Sequence, residues 1–137
     1  MSEAHKVLAM RMYNEVISQG DLAALDDMIH DDFVEHEEMP GLPTDKSAPA
    51  AFVTMFRSAF PDLHASVEDI LQDGDKLVVR ARMSGTHKGE FMGMPPTDNK
   101  FDIQAIDIVE FRDDKVIAHW GVIDAAAMMG QLGVAPE

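Results

Sequence analysis

The chain has 137 residues, 46% of them hydrophobic, and no cysteine, which suits one domain with its own core and excludes disulfides, iron–sulfur clusters, cysteine-ligated zinc and thiol nucleophiles. With 25 acidic against 11 basic residues the net charge is −14, which opposes binding to phosphate backbones and anionic membranes, so neither nucleic acid nor a membrane is an expected partner. No apolar run approaches the roughly 20 residues of a membrane span, the amphipathic start MSEAHKVLAMRMYNEV lacks the pattern of a signal sequence, and a cytoplasmic location is expected.

In chain order, Leu8, Ala9, Met12, Tyr13, Val16 and Ile17 form a stripe at helical spacing, which predicts a helix over 3–19 closed by Gly20 in a left-handed conformation. Asp21 is placed to cap a short second helix through Ile29, and 32–38 reads as a short acidic strand. MPGLPTD at 39–45 contains two prolines and a glycine and is a loop. Ser47 is then the predicted cap of a helix in which Phe52, Phe56 and Phe60 recur every four residues, and Pro61 ends it. Strands over 63–72 and 76–87 flank the hairpin signal Asp73-Gly74-Asp75. The Gly- and Pro-rich stretch 88–100 is a long connection, with His87 and Lys88 expected in solvent. A second hairpin spans 101–124, and Asp124 caps a last helix that Gly133 closes before a polar tail. Helices first and strands after predict an α+β domain, residues 1–137, with N-terminal helices on one face of a strongly curved antiparallel sheet.

The second hairpin carries most of the functional information. If Asp113 and Asp114 are its two loop residues, Arg112 faces Lys115, Phe111 faces Val116, Ile108 faces His119 and Asp107 faces Trp120. Gln104, His119 and Gly121 then share one face, and Asp107, Val109, Phe111, Val116, Ala118 and Trp120 share the other. A bulge would slide one strand by a residue and change these sets. Both faces are mostly apolar, so both are expected to be covered, one by the helices and the second by another copy in a homodimer.

Six short motifs lie in order along the chain: YNEV, GDLAALDDMIHDDFVEH, PGLP, FPDL, GTHKGEFMGMPPT and IDIVEFRDDKVIAHWGVIDAAAMMGQLG. In these the chain resembles the SnoaL-like polyketide cyclases of the nuclear transport factor 2-like superfamily. The resemblance implies a cone whose curved sheet wraps a pocket closed by the N-terminal helices. It also implies intramolecular aldol ring closure without metal or organic cofactor. The family's acid/base Asp stands two residues after the His of the last strand, helped by that His and by a Gln and a His two apart on the partner strand. The matching positions are His119, Gly121, Gln104 and Ile106, so the His and Gln are kept, while the Asp is replaced by Gly121 and the second His by Ile106.

Two functions follow: acid/base chemistry on a small, apolar, polycyclic or smaller carbonyl compound, or binding of such a compound without turnover. His119, with an unperturbed pKa near 6.5, is the candidate general base, with Gln104 as oxyanion donor; the alternative is a hydrogen-bonded core histidine. Asp107 beside Trp120 is either a carboxyl group raised in pKa by burial or part of an interface contact. The candidate pocket comprises Tyr13, His36, Phe52, Phe56, Phe60, Met83, Trp120 and Gly121, although the aromatic residues also suit plain core. Glu35, His36, Glu37 and Glu38 are metal-ligand types, but neighbours on a strand point to opposite faces and no second cluster sits at ligand spacing, so no metal is expected.

Overall fold

The structure, a computed structural model, describes residues 2–133, so the predicted tail lies outside it. Helix α1 (Ser2–Arg11) continues without a break into a π-helical stretch, Met12–Ile17, in which the Ser18 amide donates to the Tyr13 carbonyl five residues back. The sequence stripe predicted one uniform helix. The wider turn inserts one residue, and both Tyr13 and Val16 come out buried against the sheet. Gly20 (φ +75°) ends this segment, and Asp21 caps the four-residue helix α2 (Leu22–Leu25) by accepting from the Ala24 amide. Helix α3 (Ala48–Ala59) starts differently from expectation: the Ser47 side chain makes no cap, and Asp45 instead accepts from both the amide and the hydroxyl of Ser47. Helix α4 (Ala125–Leu132) is capped by Asp124 and closed by Gly133 (φ +81°), as its sequence predicts.

The five strands, β1 (Ile29–Glu35), β2 (His64–Asp73), β3 (Lys76–Thr86), β4 (Lys100–Arg112) and β5 (Lys115–Ile123), form one sheet in the order β1-β5-β4-β3-β2. Neighbours are antiparallel except β1 and β5, which run parallel, so the sheet is mixed rather than antiparallel throughout. No hairpin joins β1 to β5, and nothing local in the sequence could announce their pairing. The helices cover the inner face. There Tyr13, Phe56, Phe60, Phe101 and Ile103 form one buried cluster, and Ala9, Val16, Leu25, Phe33, Val109, Phe111 and Val116 form a second.

Asp113 and Asp114, both at positive φ, make the predicted two-residue turn, and Arg112–Lys115 and Phe111–Val116 pair as counted. Then the ladder slips. A bulge next to Phe111 leaves Ile117 extra, so Glu110 pairs with Ala118, Val109 with His119, Ile108 with Trp120 and Asp107 with Gly121. His119 and Asp107 therefore share the inner face, while Trp120 joins Gln104 and Ile106 outside. Val109, Phe111 and Val116, expected on a dimer face, are inner core.

The connection after β3 is folded back on the core rather than solvated. Phe91 bridges Met94 across Met92 and Gly93, both at positive φ, and Phe91 is buried. His87 is fully buried beside Phe60, and its backbone bonds Asn99 and Asp98, which overturns the solvated reading; Lys88 is exposed and pairs with Asp98. Gly85 shows how closely this end is packed: a Cβ there would lie 2.9 Å from Phe60 Cβ and 3.2 Å from the Phe101 ring. We expect Gly85→Ala to cost about 1–3 kcal/mol through overpacking, read as a lower urea midpoint with an unchanged slope.

Candidate functional site

Between the helices and the inner face of the sheet lies a cavity of about 110 Å³, walled by α1 and its π-helical extension, α2, the loop at 39–43, α3 and strands β1, β3, β4 and β5. Its lining is apolar over most of its extent, with Met12, Val16, Phe33, Leu42, Phe52, Val53 and Met83 prominent. The polar side chains converge at one place and come from four elements: Tyr13 from the π-helical stretch, Glu35 from β1 with Glu37 just beyond it, Asp107 from β4 and His119 from β5.

These groups form a chain of hydrogen bonds. The Tyr13 hydroxyl donates to Asp107 Oδ2, His119 Nε2 donates to Asp107 Oδ1 at 2.8 Å, and His119 Nδ1 donates to Glu35 Oε2 at 2.5 Å. Burial alone would lower the His119 pKa, but the hydrogen bonds and charges of Asp107 and Glu35 outweigh it and raise the pKa from 6.5 to about 10. At neutral pH the ring is therefore an imidazolium with both N–H groups committed. It holds charge; it does not accept protons, contrary to the general-base role expected for it. Burial, with Asp107 beside it, pushes the Tyr13 phenol well above its usual range, so it stays a donor.

Glu37 differs from the rest. Among the described residues its carboxylate has no hydrogen-bond donor, and its own amide donates to Glu35 Oε2 at 3.0 Å. Burial raises its pKa, Asp107 and Glu35 add to that, and the His119 cation opposes it. Glu37, Asp107 and His119 each bring a donor atom within 4.8 Å of the others, which is the spacing of a small metal site. Both imidazole nitrogens face carboxylates, so with the ring doubly protonated neither offers a lone pair to an ion. The arrangement is a proton and charge network.

Of the residues named from sequence, the structure brings His119, Asp107, Tyr13, Phe52 and Met83 together around the cavity. Gln104 lies on the outer face and accepts from Arg80; Ala105 and Asp107 face inward on β4, and the bulge in β5 brings His119 to their side instead of to that of Gln104. His36 stacks on Trp120 at 4.6 Å, also outside, with the Lys76 ammonium 5.0 Å from the Trp120 ring. Phe56 and Phe60 are core side chains with no surface on the cavity, since they point toward Phe91 and Phe101 instead. Gly121 sits against the polar cluster: a Cβ there would fall 2.5 Å from Asp107 Oδ1, 2.6 Å from Glu37 Oε1 and 2.9 Å from His119 Cε1. Glu35 and Glu37 were missed as site residues. The signal was the alternation Phe33, Glu35, Glu37, Met39, hidden inside an acidic run that reads as a solvated edge.

His119 dictates a pH response. Its protonated form is the stabilising one, so its contribution is full below pH 6.5, declines as pH rises, and is gone above pH 10. We expect melting temperature to fall across that interval. His119→Phe, which strands two carboxylates, should cost about 3 kcal/mol at neutral pH and flatten the fall, as thermal melts at pH 6, 8 and 10 will report.

The family model of the SnoaL-like polyketide cyclases matches residues 7–132. The nogalonic acid methyl ester cyclase of Streptomyces nogalater is 29% identical over 112 residues, which are 80% of this chain and 83% of that protein. Among solved structures, TsrD from Streptomyces laurentii superposes with a TM-score of 0.88 at 25% identity, covering 98% of this chain and 99% of that one. IdmH from Streptomyces antibioticus gives 0.81 at 33% identity over 95% and 99%. On the family match, the sequence likeness and the shared fold of helices packed on a five-stranded mixed sheet, the chain belongs to the SnoaL-like polyketide cyclase family of the nuclear transport factor 2-like superfamily.

Proposed function

We propose that this chain is a cofactor-independent acid/base catalyst that forms an enolate from a small, mostly apolar carbonyl compound and uses it in aldol ring closure or isomerisation. The observation that carries this reading is the partly buried Tyr13–Asp107–His119–Glu35 chain, with Glu37 beside it, at one end of an otherwise apolar cavity. Three carboxylates in a cavity wall are costly to desolvate, and a core with no task for them would be more stable without them. Strongly shifted ionisable groups facing a cavity are the usual mark of proton chemistry. The family membership and the ester substrate named for the cyclase relative point the same way. An esterified substrate also suits a site with a surplus of negative charge, which a free carboxylate would meet unfavourably. The volume, about 110 Å³, matches a single ring or short acyl segment presented to the polar end.

Deuterium exchange at the α-carbon of cyclohexanone and 1-tetralone, followed by NMR in D2O, tests this directly. The wild type should accelerate exchange, and Asp107→Asn should reduce the acceleration by at least about 100-fold. Ketones that bind, as seen by shifts in protein resonances, without any exchange would leave a pocket protein instead of an enzyme.

We also propose that a second copy covers the outer sheet face, where Val34, Ile106 and Val122 are 45%, 41% and 67% exposed around the His36–Trp120 stack. A dimer of that kind would bury roughly 800 Å² per subunit. Sedimentation at micromolar concentration should give a dimer for the wild type and a monomer for Val122→Asp; a wild-type monomer ends the assembly proposal.

A further inference from the structure

Gly121 on β5 has no side chain, yet the space above it is not empty of carboxylate. The point where a residue-121 side chain would begin is 2.5 Å from Asp107 Oδ1 and 2.6 Å from Glu37 Oε1. Two carboxylates thus reach the same place from other elements, Asp107 from the paired position on β4 and Glu37 from the segment after β1. Only one of them is free. Asp107 accepts from Tyr13 on one oxygen and from His119 on the other, His119 has both nitrogens engaged, and the Glu35 oxygen that binds His119 also accepts the Glu37 amide. Glu37 faces the cavity with no internal donor among the described residues.

Resting on the enolate chemistry proposed above, we infer that Glu37 is the catalytic residue that carries the proton, and that Gly121 is the positioning residue whose missing side chain gives it room. In the first step the substrate's α-C–H bond breaks, an O–H bond forms on Glu37, and the electron pair moves into the enolate. The enolate carbon then bonds to a second carbonyl carbon of the same substrate, and the resulting alkoxide takes the proton back from Glu37. Nothing else is consumed. The remaining charged and titratable groups hold the stage: Asp107 and Glu35 disfavour a lasting negative charge on Glu37, the His119 imidazolium tempers that effect, and Tyr13 locks Asp107 in place. Burial, with Asp107 and Glu35 beside it, raises the Glu37 pKa against the opposing His119 cation, the direction that makes a carboxylate a stronger base.

The test compares the wild type with Glu37→Gln and Glu37→Asp in α-proton exchange of cyclohexanone as a function of pH, with melting temperatures to confirm folding. Glu37→Gln should melt no lower than the wild type, lose at least about 100-fold in exchange, and lose the rise in rate with pH that tracks one carboxyl; Glu37→Asp should keep part of the rate. A Glu37→Gln rate equal to the wild type overturns the assignment. If the wild type exchanges no ketone, the enolate reading has failed, and Glu37 is judged by binding of 4-nitrophenol, a single-ring oxyanion former whose absorbance reports its charge. A tenfold or greater gain in phenolate affinity in Glu37→Gln above neutral pH supports Glu37 as the ligand-facing group. Equal affinity in both proteins overturns that as well.

Discussion

The polar end of the cavity is organised around one cation, the His119 imidazolium held between Asp107 and Glu35. Through it β5 is tied to β4 on one side and β1 on the other, and through Asp107 the sheet is tied to Tyr13 in the helical cover. The tie to β1 matters most, because that strand joins the sheet by an irregular parallel ladder with few paired positions. A buried ion pair is a poor source of net stability, but removing one member leaves an uncompensated charge and costs more than the pair contributed. The site and this edge of the sheet therefore stand or fall together, and substitutions at His119 will confound activity with folding unless both are measured.

The acid inventory looks different from this viewpoint. Gly121 on β5 offers no carboxylate of its own, but the volume a side chain there would use is occupied from the neighbouring strand and from the segment beyond β1. In a cavity the useful quantity is which groups reach a point, not which strand they start from. His119, read from sequence as a base, is instead engaged by two carboxylates, and the carboxylate at the cavity with no donor among the described residues is that of Glu37.

What could be read from the residues was local. Gly20, Asp21, Asp124 and Gly133 mark helix ends through chemistry that acts over three or four residues, and the Asp113-Asp114 turn sets its two adjacent pairs as counted. The rest depended on contacts distant in sequence. The bulge follows Val116, where Ile117 and Ala118 are both apolar and both buried, so no polar residue betrays the change of side. Glu37 was obscured for a related reason, since an acidic run looks solvated unless one knows that β1 lies beside β5 and turns every second residue inward. His87, next to a glycine- and proline-rich stretch, reads as exposed, and only the fold shows that this stretch closes over it.

The extra residue at Ile117 has a consequence for how relatives of this chain are compared. Because a strand alternates sides at every step, one residue gained or lost within β5 exchanges the inward and outward sets on everything beyond it. Homologous roles in this part of the family are then inherited by side of the sheet and not by distance from the hairpin. A single-codon deletion there would carry His119 out of the cavity while leaving the recognisable motif IAHWG almost intact, so relatives that share the letters need not share the chemistry.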